Sequence, residues 1–152
     1  MTAIRILEVT TAEDLAEILP LFREALAAAP TADEDSPDEA AAQHTVLASF
    51  GDRDSVVLLG EVGGERGGLL VAGPRSDPFS GRSGCWIRLC YVRPPWRGRG
   101  LAGRLVAQAE AILSGRGVES ISLELPVQDD AFLSIAERHG YVRLRHWLQK
   151  DL

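Results

Sequence analysis

The sequence predicts one α/β domain of mixed α+β type, residues 1–152, with a central mixed sheet flanked by helices and the element order βααβββαβαβ. Three observations carry that expectation. Short apolar runs of period two interleave with segments of helical period. Glycine and proline clusters punctuate the boundaries. The 152 residues are 45% apolar and 25% charged, the makeup of an ordinary globular domain, with no internal repeat or low-complexity block.

Alternation of Ile4 and Ile6 with Arg5 and Leu7 places a first strand over residues 3–9. Thr11, with Asp14 three residues on, opens a helix whose Leu15, Ile18, Leu19, Phe22 and Leu26 recur at helical spacing. Pro20 removes a backbone donor from its middle, so a bent helix or two short ones is expected. Ser36-Pro37-Asp38-Glu39 then supplies a cap, a proline in the first turn and a capping-box glutamate for a second helix that runs to about Phe50. Val56 to Leu59 and Leu69 to Ala72 read as a hairpin joined by the turn Gly63-Gly64-Glu65-Arg66-Gly67-Gly68. After a loop from Gly73 to Gly84, Cys85 to Val92 is a long strand that Pro94-Pro95 breaks. A helix follows with Leu101, Leu105, Ala109, Ile112 and Leu113 on one face, ended by Gly115 and Gly117. Ile121, Leu123 and Leu125 alternate in the next strand. Asp129 or Asp130 caps a helix to about His139, Gly140 ends it in the left-handed conformation, and Val142 to Leu152 makes a last strand.

The net charge of −6 argues against general nucleic-acid binding. No stretch approaches 18 apolar residues and the first residues lack the apolar core of a secretory signal, so no membrane association and a cytoplasmic location are expected. Charge is unevenly placed: Asp33, Glu34, Asp35, Asp38 and Glu39 form an acidic stretch, whereas Arg82, Arg88, Arg93, Arg97, Arg99 and Arg104 crowd the centre. Cys85 and Cys90 lie five apart, an odd interval that sends strand residues to opposite faces, so two buried free thiols are expected. His44, His139 and His146 are far apart and imply no metal site.

The chemistry concentrates in the strand, proline break, glycine turn and helix of residues 85–113. Backbone N–H groups of such a turn, with the unpaired donors of the helix's first turn, make a concave anion site backed by the helix dipole. Gly98 and Gly100 permit positive φ and close ligand approach, while Arg97, Arg99 and Arg104 add charge. The Gly-Lys-Ser/Thr ending of a nucleotide P-loop is missing. Gly98-x-Gly100-x-x-Gly103 matches the dinucleotide fingerprint letter for letter, yet Glu119 and Glu124 follow in the wrong kind of βαβ unit.

Arg97-Gly98-Arg99-Gly100-Leu101-Ala102 resembles the Arg/Gln-x-x-Gly-x-Gly/Ala signature of the GCN5-related N-acetyltransferases (GNAT). Leu89-Cys90-Tyr91-Val92-Arg93-Pro94 is similar to that family's fourth strand and its Val-x-Pro break, and Asp129 to Tyr141 resembles its last helix and Gly-aromatic ending. The resemblance implies acetyl-CoA as cosubstrate, its pyrophosphate on the amides of Arg97 to Ala102 with Arg104 nearby, and its pantetheine arm along Leu89, Cys90, Tyr91 and Val92. It further implies that a backbone N–H of Tyr91 or Val92 polarises the thioester carbonyl. A small-molecule amine acceptor, cationic if the acidic stretch borders its site, and a homodimer are the partners it suggests.

Transfer needs a base for an ammonium substrate and a proton for the departing thiolate. The resembled family often places a tyrosine four residues before the final glycine; here that residue is Ala136, leaving Tyr141 or Ser134 as proton donor. The family's strand-four glutamate is also missing, and Glu124 is the leading substitute base, with His44 behind it. The alternative is a domain that binds acyl-CoA without catalysis.

Overall fold

A computed structural model describes residues 2–28, 39–48, 50, 52–125, 129–145, 148, 150 and 152. The strands β1 (Ile4–Glu8), β2 (Val56–Val62), β3 (Glu65–Ser76), β4 (Ser83–Val92) and β5 (Ile121–Leu123) lie side by side in chain order. The first four are antiparallel, and β5 joins β4 in parallel. Helices α1 (Leu15–Ala28) and α2 (Glu39–Ala48) accompany one side, and α3 (Leu101–Gly115) and α4 (Asp130–Arg138) the other. That parallel step requires a crossover, and α3 is the crossover.

Two cores follow from the period of the strands. Val57, Leu59, Leu69 and Val71 meet Ile18, Leu21 and Phe22 of α1 and Val46 of α2. Their neighbours Val56, Leu58, Leu70 and Ala72 meet Leu101, Leu105, Val106, Ala109 and Leu113 of α3. Burial on both faces explains why β2 and central β3 read as continuous apolar runs.

Several expectations need correction. The hairpin turn is only Gly63-Gly64, both at positive φ, and Gly67 and Gly68 belong to β3. They are strand glycines because α3 presses on them: a Cβ at Gly67 or Gly68 would lie 3.2 or 3.1 Å from Leu101, and one at Gly60 would lie 2.8 Å from it. The first helix is continuous through Pro20. Ala16, whose carbonyl loses its donor there, is exposed and so is Pro20, which lets water serve that carbonyl. Leu125 falls outside β5.

The expected last strand is not formed by the described residues after Tyr141. Val142 and Leu144 are 73% and 81% exposed, and Arg143 and Arg145 instead reach Glu137 and Asp77. Apolar alternation makes a strand only where a partner edge and a covering layer are available. The helix caps agree better: Asp129 accepts from the Phe132 N–H, and Gly140 has φ 89°. Residues Asp33 to Asp38 and the Glu39 side chain lie outside the described residues, so the acidic stretch and the cap at Ser36 do too.

Candidate active site

β4 changes partners midway. Val71 pairs with Leu89 and Ala72 with Ile87, so Arg88 is an extra residue, a bulge. Pairing with β5 covers only Cys85 to Ile87. Beyond the bulge, no strand of the described residues lies beside the outer edge of Leu89 to Val92; Arg93 N–H is bonded to the Gly67 carbonyl of β3, so by alternation the backbone groups of Cys90 and Val92 face that edge.

The bulge also resets which face each residue occupies. Cys85 and Cys90 were expected on opposite faces, yet both pack on the α3 side, because the inserted residue shifts the alternation by one. Both are free thiols; burial pushes Cys85 up to about 11 and Cys90 up to about 12. Neither is placed as a nucleophile.

At its end β4 is pinned by Arg93, which donates through Nε and Nη2 to Glu24 of α1 at 2.9 and 2.8 Å and through Nη1 to the Arg66 carbonyl at 2.8 Å. The Arg93 hydrogen bonds hold the Glu24 carboxyl below the usual carboxylate range. Pro94–Trp96 then makes one 3₁₀ turn and delivers Arg97 to Gly100 to the start of α3. Gly98 and Gly100 have φ 73° and 81°, and apart from their chain neighbours no described residue comes within 4 Å of where their Cβ atoms would be. This is an open cradle. Gly100 caps α3 without a side chain, no acidic residue stands in the first turn, and the first helical bond is Arg104 N–H to the Gly100 carbonyl at 3.1 Å. The amides of Leu101, Ala102 and Gly103 therefore lack intrahelical acceptors, as in a helix start that binds an anion.

The arginines divide their work. Arg97 folds back, donating from Nε to the Val92 carbonyl at 2.9 Å with its guanidinium 5.9 Å from the Tyr91 ring centroid. Arg99 stacks on Trp96 at 5.2 Å, and Arg104 is exposed on the first turn of α3. The open glycine turn, the helix start and the arginines beside them suit an anionic group.

The expected catalytic side chains are scattered. Glu124 stands at the lip where β4 and β5 part, ion-paired with Arg75 at 2.7 Å. Tyr91 projects toward α1, half-buried, with its hydroxyl on Glu24. The Tyr141 ring packs in the α3 core, and its hydroxyl is buried without a hydrogen-bond partner. Burial and the Glu110 carboxylate push that hydroxyl upward in pKa. Ser134 Oγ is spent on the Asp130 carbonyl, and His44 is an exposed residue of α2.

Sequence reading missed Glu24, which lies against Tyr91 and Arg93. A signal existed: Glu17 and Glu24 are seven apart beside Leu21, and they reach Arg66 and Arg93 respectively. It also missed the cluster of Arg75, Trp86 and Arg88, because β3 and β4 bring them together only through their register.

Comparison with known proteins agrees with this geometry. Among solved structures, AAC(6')-Iy in complex with the bisubstrate analogue CoA-S-monomethyl-acetylneamine superposes with a TM-score of 0.78 at 14% identity, covering 99% of this chain and 98% of that one. A ribosomal-protein-alanine N-acetyltransferase from Brucella melitensis biovar Abortus 2308 gives 0.71 at 21%, over 99% and 97%. A transcriptional regulator from Bacillus halodurans C-125 gives 0.72 at 19%, over 99% and 100%. At these identities the likeness is one of fold. The Acetyltransferase (GNAT) family, however, matches residues 15–141, most of the chain and all of the site just described, so the protein belongs to the GNAT family of acetyltransferases, whose cosubstrate is acetyl-CoA.

Proposed function

We propose that this protein transfers an acetyl group directly from acetyl-CoA to the primary amine of a small molecule. The observation that carries the reading is the continuity of the Gly98–Gly100 cradle with the open edge of β4. A phosphate-bearing thioester held at one end lays its carbonyl against Leu89 to Val92. The backbone N–H of Val92, which faces the open edge because its neighbours Tyr91 and Arg93 face β3, donates to that oxygen as the amine attacks, the C–S bond breaks, and the thiolate takes a proton. Because a thiol has a pKa near about 8.5, it leaves readily and water suffices as donor. Glu124, positioned by Arg75 at the lip, takes the proton of the ammonium through water.

The competing reading, a domain that binds acyl-CoA without transferring it, draws support from Ala136 and the buried Tyr141 hydroxyl. A thermal-shift titration with acetyl-CoA, CoA, ATP and NAD comes first; saturation at 100 times Kd stabilises by about 2.7 kcal/mol. A rise confined to the two CoA species, followed by amine-dependent thiol release, supports the transferase. The same rise with no release on any amine supports the binding domain, and no rise removes both. The preference for cationic acceptors rests on Asp33 to Glu39, and the described residues add nothing to it.

A further inference from the structure

The face of the sheet opposite the phosphate loop carries a cluster that the transfer chemistry does not use. Trp86 pairs with Gly73, so both present the same face. The Arg88 guanidinium also lies there, because a Cβ built on Gly73 would stand 3.1 Å from its Nε and 3.2 Å from its Nη2. Glycine at 73 is thus the seat of that guanidinium. Arg88 donates to the Pro74 carbonyl at 3.3 Å and flanks the Trp86 ring at 5.8 Å, while Arg75 covers the ring at 4.6 Å and pairs with Glu124.

The charges do not balance. Arg75 has Glu124, but Arg88 has no carboxylate partner among the described residues. Trp86 Nε1 is likewise a donor without an acceptor. Arg88 is the bulge residue itself, one position before the open edge on which the thioester carbonyl is proposed to lie. At that edge α3 and the loop occupy one face, and on the other α1 covers Leu89 and Tyr91 but leaves Arg88 exposed, so an acceptor on that face can reach a guanidinium held by a backbone carbonyl and a glycine seat. A planar, permanently charged fork of donors suits a carboxylate.

We propose that the acceptor amine carries a carboxylate bound by Arg88, which makes the substrate class α-amino acids or short peptides with a nearby carboxylate. This rests on the proposed transferase reading for its geometry, and its test is independent of turnover. Three matched pairs are titrated calorimetrically with and without saturating CoA: leucine against 3-methylbutylamine, phenylalanine against 2-phenylethylamine, and lysine against 1,5-diaminopentane. The expected result is at least about 10-fold tighter binding of the amino acid in one pair or more, lost in Arg88→Gln and partly kept in Arg88→Lys. A thermal shift with CoA confirms that each variant is folded and loads the cosubstrate. Equal or tighter binding of the plain amines, no binding in any pair, or an unchanged preference in Arg88→Gln overturns the proposal. Binding with the expected preference but no acetyl transfer overturns the transferase reading and leaves the carboxylate site standing.

Discussion

The two halves of β4 differ in what their partners are. Ser83 to Ile87 lie between β3 and β5, and Cys85 and Ile87 are buried to within a few percent. Leu89 to Val92 keep β3 but have no strand of the described residues on the other side, and all four are only partly buried. Leu89 to Val92 are if anything the more apolar stretch, so composition does not make the difference. One inserted residue, Arg88, does: it turns the strand away from β5 and offers its edge to a ligand. The paired half behaves as core, where side-chain volume matters; under the proposed function the open half is the site, where backbone groups matter and side-chain identity matters less.

The largest effect that sharpens this contrast is expected at the end of the open half. Gly100→Asp puts a side chain and a negative charge where the phosphates would sit, at a residue whose φ is 81°. CoA affinity should fall by about 100-fold or more, while the unliganded protein loses about 1–2 kcal/mol from left-handed strain. Calorimetry with CoA and melting of the unliganded protein separate the two. Glu124→Gln comes next: kcat should drop by roughly 10²-fold and recover at higher pH, as expected for a lost base, with KM for acetyl-CoA unchanged. A wild-type pH profile would remove Glu124 from the mechanism.

Gly68→Val breaks the contrast from the other side, since Gly68 pairs with Val92 and a Cβ there would meet the Tyr91 carbonyl at 3.0 Å and Leu105 at 3.1 Å. It should cost about 1–3 kcal/mol of stability and weaken CoA binding by tilting α3. A melt and a CoA titration on the same variant check both. The two thiols report each half separately. Their folded values, about 11 for Cys85 and about 12 for Cys90, lie above an unfolded value of 9.0. The unfolded chain therefore loses these protons first, so the stability they contribute is full below about pH 9 and fades as pH rises through 11 and 12. Denaturant unfolding between pH 8 and pH 12 on Cys85→Ala and Cys90→Ala should flatten that slope in two steps. The smallest effect is Tyr141→Phe, which removes a buried hydroxyl without a partner and should leave kcat unchanged while stability is unchanged or rises by about 1 kcal/mol. A large fall in kcat would restore Tyr141 as the proton donor.

The contrast also sorts what could be read in the chain from what could not. Arg97 to Ala102 was readable because each feature is local: glycines that adopt positive φ, arginines in the same turn, and a helix that starts at once. The Asp129 cap and the Gly140 stop were readable for the same reason. Gly67 and Gly68 were misread as turn because their neighbour, Leu101, is more than thirty positions away. The parity of Cys85 and Cys90 failed because a bulge leaves no mark in residue type; Arg88 looks like any exposed strand residue. Val142 and Leu144 alternate as strand residues do, but alternation cannot report whether a partner edge exists.

The sequence by itself determined the order of elements through β5 and α4 and the glycine turn that starts α3, because those depend on hydrophobic period, capping and backbone freedom within a few residues. Only the tertiary structure decided where β4 opens, buried the Tyr141 hydroxyl, seated Arg88 over Gly73 and tied Glu124 to Arg75. Each of those depends on register between strands, a distance-dependent packing outcome that no single stretch of chain encodes.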